Sequence, residues 1–241
     1  MCLIVVGLGA TPLHPLLVAA NRDEQHARPT RAAAWWPDFP EILGGRDELA
    51  GGTWLAVDRS GRLAAVTNIR DGQPRAQLRS RGALAAEFLA GDETAERYAA
   101  RASRDGDRYG PFNLLLFDGT ELHYTSNRTP AVRLGPGLHA FSNAPPDEEW
   151  PKVASAHAGV IARLDDPAPL ERLFELLAQR APELPPDERH RSAHFMVGPV
   201  YGTRCSTVVL ADAAGALTFV ERSFDPAGRL IGEARERFHI G

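Results

Sequence analysis

The chain opens on two apolar runs, Leu3-Ile4-Val5-Val6 and Leu16-Leu17-Val18-Ala19-Ala20, separated by the Gly- and Pro-containing stretch from Gly7 to Pro15. Apolar runs of this length bounded by glycine and proline predict buried strands, and the simplest connection between them is an antiparallel hairpin. The second run stops abruptly at Asn21-Arg22-Asp23-Glu24. A hairpin therefore brings that charged cluster beside Cys2, which stands directly before the first run.

Residues 25–51 carry no regular period and contain Arg28-Pro29-Thr30, Trp35-Trp36-Pro37, Phe39-Pro40 and Gly44-Gly45. They predict a long irregular connection, and the adjacent Trp35 and Trp36 suit either a lid that packs down or a simple cover for the core. Thr53 to Asp58 and Leu63 to Asn68 flank the turn Arg59-Ser60-Gly61-Arg62 and read as a second hairpin. Over 79–104, Leu84, Phe88 and Leu89, then Ala95, Tyr98 and Ala99, recur at helical spacing around a break at Gly91-Asp92. Phe112 to Phe117 and Glu121 to Thr125 form a third hairpin across Asp118-Gly119, and Leu138 to Asn143 is a short strand ended by Pro145-Pro146. Residues 150–164 and 169–180 are amphipathic helices separated by Asp165-Asp166-Pro167. A Pro-rich irregular segment over 181–203 leads to strands at Cys205 to Leu210, Leu217 to Glu221 and Glu233 to His239. Hairpins with helices grouped in two blocks predict an α+β domain of two antiparallel sheets covered by helices, spanning 1–241.

Composition narrows the function. A net charge of −4 without a basic run argues against nucleic acid as partner. No apolar stretch approaches the roughly 20 residues of a membrane helix, so stable membrane insertion is not expected. The first residues lack the basic start of a signal peptide, which places the chain in the cytoplasm. Cys2 and Cys205 are too far apart in sequence to suggest a metal site or a disulfide framework. The single lysine, Lys152, among 27 basic residues reads as composition bias.

Several patterns do not carry chemistry. Gly7-Leu8-Gly9 follows a strand, but Pro12 and Pro15 prevent the helix a dinucleotide fingerprint needs. His190 and His194, four apart, lack an intervening base and a third ligand, so packing or solvated histidines are expected. Cys2 is different. A thiol next to a guanidinium is a reactive arrangement, because a cation favours the thiolate. Removal of Met1 would also free an α-amine, whose reference pKa of about 7.7–8.0 suits a base for the Cys2 side chain.

Four stretches together resemble a known family: Met1-Cys2-Leu3-Ile4; Ala20-Asn21-Arg22-Asp23-Glu24; Gly51-Gly52-Thr53-Trp54-Leu55 with Thr67-Asn68; and Tyr201-Gly202-Thr203-Arg204. They identify the chain as a member of the NRDE family, whose animal members are called transport and Golgi organisation proteins. That family usually has serine at Cys205, which sets this thiol apart from any essential group. Cys2, the charged cluster, Asn68 and Ser142-Asn143-Ala144-Pro145-Pro146 also resemble the choloylglycine hydrolase and penicillin V acylase group. This wider resemblance implies a four-layer αββα N-terminal-nucleophile hydrolase fold, with Cys2 as nucleophile and its α-amine as base. It gives Asn68 and Asn143 the polarising of the carbonyl and the holding of the amine, and puts Arg204 near the thiolate. Neutral amides and an arginine suit those roles.

One departure stands out. The hydrolase group has Arg and Asp three residues apart at the end of the second strand, a spacing that here falls on Asn21 and Glu24. Arg22 and Asp23 are out of phase with it, which leaves open which of the four side chains faces Cys2. Two functions remain. One is a cysteine hydrolase of a non-peptide amide or acyl bond in a small hydrophobic molecule, with Cys2, Arg22, Asn68, Asn143 and Arg204 as catalytic residues. Asn21, Asp23, Glu24, Trp35 and Trp36 then line its binding region. The other is a non-catalytic carrier of haem, acyl-coenzyme A or lipid on the same scaffold, in which haem would be a ligand; neither function requires a cofactor or a metal.

Overall fold

The structure is a computed structural model that describes residues 2–69, 78–166, 168–181 and 183–241. Met1, whose removal the α-amine chemistry needs, and Pro167 of the predicted helix break lie outside the described residues. In chain order the elements begin with β1 (Leu3–Leu8), β2 (Leu16–Gln25), β3 (Thr30–Trp35), β4 (Ile42–Asp47), β5 (Leu55–Asp58) and β6 (Leu63–Asn68). Helices α1 (Arg81–Ala90) and α2 (Ala95–Arg104) follow, then β7 (Phe112–Phe117), β8 (Leu122–Ser126), β9 (Val132–Leu134) and β10 (Gly137–Phe141). The chain closes with α3 (Pro151–Ile161), α4 (Leu170–Leu177), α5 (Pro186–Ser192), β11 (Tyr201–Ala211), β12 (Ala216–Phe224) and β13 (Leu230–His239). Among the described residues, no helix is long and apolar enough to cross a membrane.

These elements form two compact units. The first runs from the N-terminus through Arg28 and adds Pro136–Ser142 and Glu148–His239. Its sheet has the order β10-β1-β2-β11-β12-β13, antiparallel throughout. Helix α3 packs on β10 and β1, and α4 on β2 and β11. Strand side chains alternate faces, so one face of this sheet carries the core against the helices. Leu3, Val5, Leu17, Ala19, Val208, Leu210 and Val220 meet Ala156 and Val160 of α3 and Leu173 and Phe174 of α4 there.

The second unit holds Pro29–Gly135 and Asn143–Asp147, with a sheet in the order β3-β4-β5-β6-β7-β8-β9. Its core joins Ala64, Val66, Leu114 and Leu116 to Leu84 and Phe88 of α1 and Tyr98 and Ala99 of α2. The architecture is α+β with two antiparallel sheets, as the hydrophobic pattern predicts.

The structure corrects two expectations of local structure. The stretch 25–51 is not an irregular lid: it contains the paired strands β3 and β4. Trp36 is buried in the core of the second unit, where its indole Nε1 donates to the Gly44 carbonyl at 2.9 Å, and Trp35 stacks under the Arg59 guanidinium. The two tryptophans are structural surfaces of a hairpin, which the bulge between Arg31 and Ala34 hides from a period-2 reading. Second, the segment 181–203 contains the short helix α5, opened by a proline in its first turn. Asn21-Arg22-Asp23-Glu24 closes β2 as the sequence reading expects.

Candidate functional site

The register of β1 on β2 organises the start of the first unit. Leu3 pairs with Asn21, and the pairing continues regularly to Leu8 with Leu16. Continued one step toward the N-terminus, the same register sets Cys2 level with Arg22. Directly opposed residues in an antiparallel pair share a face, so Arg22, and Glu24 two residues on, lie on the side of the sheet that the continued register gives to Cys2. On the other flank of β2, Arg22 pairs with Cys205. Arg22 and Cys205 are therefore neighbours on the face turned away from α3 and α4. Arg22 is buried and Cys2 partly buried.

The irregularity lies not in β2 but in β11, where Asp23 pairs with Thr203 and Arg22 with Cys205, leaving Arg204 as the extra residue of a bulge.

Asn21 points the other way. Its Nδ2 donates to the carbonyls of Leu177 and His194, both at 2.8 Å, and its Oδ1 accepts from Ser206 Oγ at 2.5 Å. Every hydrogen-bonding group of that amide is turned into the protein, so Asn21 fixes the end of α4 to β2. Asp23, two residues on, is also buried, and its Oδ1 accepts from Thr203 Oγ1 at 2.6 Å. Glu24 is half-exposed and accepts from the backbone of Gln25 at 2.8 Å.

The Tyr201-Gly202-Thr203-Arg204 motif is the clamp on this strand end. Tyr201 Oη donates to the Asp23 carbonyl at 2.9 Å. Gly202 packs so closely that a Cβ there would lie 2.8 Å from the Met196 carbonyl oxygen, and Thr203 Oγ1 accepts from Met196 N at 2.8 Å. Arg204 Nη1 donates to the carbonyls of Gln25, His26 and Arg28 at 2.9, 3.2 and 3.1 Å. Burial, and then the nearby Arg22 charge, lower the proton affinity of Arg204. Its observed partners are thus the carbonyls of the segment leaving β2.

The two cysteines differ in environment. Burial pushes the Cys205 thiol well up from its ordinary range, Glu221 adds to the effect, and Arg22 opposes it. Cys205 is a buried neutral thiol, whereas Cys2 reaches solvent in part.

Asn68 and Asn143 belong to the second unit. Asn143 is buried, and its Nδ2 donates to the Asn68 carbonyl at 2.6 Å, while Asn68 ends β6 opposite Phe112 with its side chain exposed. The structure thus joins these two residues to each other. The Gly51-Gly52-Thr53-Trp54 motif is a packing device of the same unit. Thr53 Oγ1 donates to the Gly45 carbonyl at 2.7 Å, and Gly52 lies against the backbone of Gly82 where α1 begins.

One buried residue of the first unit was read from the sequence as composition bias. Lys152 is completely buried, on the stripe of α3 that also carries Val153, Ala156 and Val160. A lysine at a core-facing helical position was the available signal. Among the described residues, no group of three or more His, Cys, Asp and Glu side chains is arranged to hold a metal ion. His194 is a packing residue, its Nδ1 2.9 Å from the Leu176 carbonyl, and His190 stacks edge-on to Trp150.

The comparisons with known proteins fit this geometry. The chain is 33% identical to the Transport and Golgi organization protein 2 homolog of Bos taurus over 256 residues, covering 92% of this chain and 93% of the relative. It is 32% identical to the homolog of Homo sapiens with the same coverage. Among solved structures, it is similar to the C2A mutant of conjugated bile acid hydrolase from Clostridium perfringens. The TM-score is 0.55 at 9% identity, over 100% of this chain and 92% of that one, a likeness of fold. Residues 1–226 match the family described as Transport and Golgi organisation 2, and the chain belongs to that family.

Proposed function

We propose that this protein is a cysteine hydrolase that opens a non-peptide amide or related acyl bond, with Cys2 as nucleophile. The observation that supports the reading is the β1–β2 register, whose Leu3–Asn21 pair, continued by one residue, would bring the partly exposed Cys2 level with the buried Arg22. The likeness of fold to a protein named as a conjugated bile acid hydrolase supports the same reaction class. Fold alone does not assign a function, so the argument rests on the site.

In this reaction, Cys2 Sγ attacks the carbonyl carbon, with Arg22 favouring the thiolate. The S–C bond forms, the C–N bond breaks, and the proton lost by the thiol ends on the departing nitrogen. The α-amine freed by loss of Met1 suits that proton transfer. Water then adds to the thioester, the S–C bond breaks, and the acid leaves while the thiol is restored. Arg204 supports the site from outside, because its three carbonyl bonds hold the segment that leaves the charged cluster.

The test is the rate of iodoacetamide alkylation at Cys2, followed by peptide mass against pH, with intact mass to confirm loss of Met1. An activated thiol reacts at a midpoint well below the reference value of about 8.5. Cys2→Ala should abolish turnover of an amide panel while leaving the circular dichroism spectrum unchanged. An ordinary alkylation midpoint with undiminished turnover in Cys2→Ala would refute the proposal and favour a carrier of hydrophobic ligands.

A further inference from the structure

The second sheet carries a buried polar cluster on the face turned away from α1 and α2. Ala64 and Val66 of β6 and Leu114 and Leu116 of β7 meet those helices, so their strand neighbours Thr67 and Asn113 point to the other side. Thr67 and Asn113 are paired in register, and Tyr124 of β8, opposite Leu115, shares their face. All three are buried. Apolar side chains suffice to pack a sheet face, whereas each polar group buried there costs free energy unless it is bonded.

The bonds converge on Asn113. Its Oδ1 accepts from Tyr124 Oη at 2.7 Å, and its Nδ2 donates to Thr67 Oγ1 and to the Ala144 carbonyl, each at 3.2 Å. Burial raises the Tyr124 pKa, so the phenol keeps the proton it gives to Asn113. That donation fixes the sense of the amide, with its oxygen toward the phenol and its NH2 toward Ala144. Ala144 is not a sheet neighbour: it belongs to the segment that follows β10. The residue before it, Asn143, donates from Nδ2 to the Asn68 carbonyl at 2.6 Å. Two amides therefore cross-link Thr67-Asn68 to Asn143-Ala144, and every residue involved belongs to the second unit. Asn68, its carbonyl braced in this way, keeps an exposed side chain at the end of β6.

We propose that Asn113, oriented by Tyr124, is the positioning residue of the Asn68–Asn143 pair. By holding the Ala144 carbonyl it sets the backbone from which Asn143 braces Asn68, and the exposed Asn68 amide is thereby presented as a neutral donor to the carbonyl oxygen of an acyl substrate. Such a donor stabilises an oxyanion without titrating, and only when it is held in place beforehand. Asn113 and Tyr124 touch no substrate and act through Asn143. The donor role rests on the hydrolase reading, whereas the brace does not, and the experiment separates the two.

Two rates at one sulfur read the donor role. With 4-nitrophenyl butyrate, Cys2 Sγ attacks the carbonyl carbon, the S–C bond forms, the C–O bond breaks and 4-nitrophenolate leaves, by way of an oxyanion. With iodoacetamide, the sulfur displaces iodide from a saturated carbon and no oxyanion forms. Asn113→Leu should slow acylation about tenfold, less than the roughly 100-fold or more that removing a donor outright costs, and leave alkylation unchanged. Tyr124→Phe should slow acylation less, and Asn68→Ala, which keeps the backbone carbonyl, at least as much as Asn113→Leu. The brace is read without any reaction, from exchange of the Asn143 side-chain NH2 protons by NMR, assigned by their loss in Asn143→Asp. Exchange should be about fivefold faster in Tyr124→Phe and faster still in Asn113→Leu. Unchanged exchange overturns the proposal, and so does faster exchange with acylation as fast as in the wild type. If Asn113→Leu does not fold, Tyr124→Phe, which removes one hydroxyl, decides alone. A wild-type Cys2 that is never acylated refutes the hydrolase reading, and the exchange rates then decide the brace by themselves.

Discussion

Asn21 gives the most direct test of how the charged cluster is divided between structure and chemistry. Replacing it with alanine removes two donors and one acceptor at once. The carbonyls of Leu177 and His194 lose their bonds from Nδ2, and Ser206 Oγ loses its acceptor. Leu177 is the last residue of α4, so its carbonyl is one of those a helix leaves without an internal partner. A buried hydrogen bond contributes about 1 kcal/mol net, and stranding a buried partner costs about 1–3 kcal/mol. With three bonds sharing one side chain, the expected loss for Asn21→Ala is about 3–5 kcal/mol, a large share of the roughly 5–15 kcal/mol that holds a domain folded.

The assay is urea unfolding followed by circular dichroism, combined with amide hydrogen exchange over α4 and β2 to localise the loss. Asn21→Asp adds a second arm. It keeps the acceptor for Ser206 but turns a carboxylate toward two carbonyls, an environment that disfavours the charged form. The folded-state pKa of the introduced acid therefore lies above its unfolded value, so the variant is least stable at neutral pH and recovers as the pH falls through that raised pKa. Asn21→Ala should not shift the pH profile of Cys2 alkylation, because the amide it removes is uncharged and is bonded to Leu177, His194 and Ser206. A stability loss under about 1 kcal/mol for Asn21→Ala, or a displaced Cys2 profile in that variant, would refute the division of roles.

Two further predictions concern the second unit. Asp118 closes the β7–β8 turn by accepting from Thr120 N and Glu121 N, and its other oxygen accepts from Ala95 N at the start of α2. Burial alone would raise its pKa, but these bonds outweigh it and hold the carboxyl down to about 2. The stabilisation is therefore complete above the unfolded value near 3.8 and disappears as pH falls through about 2. Asp118→Asn should cost about 1 kcal/mol at pH 7 after allowance for solvent screening, and its difference from wild type should vanish near pH 2; a constant difference refutes the assignment. Gly52→Ala would put a Cβ 2.5 Å from the Gly82 carbonyl oxygen and 2.7 Å from Ala83 N, backbone atoms that cannot swing aside. It should cost about 1–3 kcal/mol by overpacking in urea unfolding, whereas a neutral result would mean that α1 can move.

Long apolar runs made most of the fold legible: β1, β2, β6, β7 and the helices α1 to α4 lie where the periodicities put them. The failures share a physical cause. In β3, the bulge breaks the alternation and exposes Arg31 and Ala32, so a strand looks like a loop. In α5, seven residues after a proline are too few to show a period. The site was legible only as a set of residue types. Asn21, Arg22, Asp23 and Glu24 are adjacent in sequence, but strand alternation sends them to opposite faces, and only the register with β1 decides which of them shares the side of Cys2. Lys152 escaped because counting lysines reveals nothing about where one is buried.

The clamp and the cluster also explain each other. If β11 ran regularly past Cys205, Arg204 would pair with Asp23 and Thr203 with Glu24. The bulge delays the strand by one residue, which puts Thr203 against Asp23 and frees Arg204 to bond the carbonyls beyond β2. A single inserted position thus ties down the Asp23 carboxylate and, through Arg204, the backbone that leaves the cluster. The bulge does not disturb the pair of Arg22 and Cys205, because regular pairing resumes at Cys205. Arg22 is therefore held by the regular part of the sheet, while the strand end beyond it is shaped independently by Thr203 and Arg204. Under the proposed hydrolase reading, that separation would give the thiol a fixed cation while other residues make the bonds of the polar strand end.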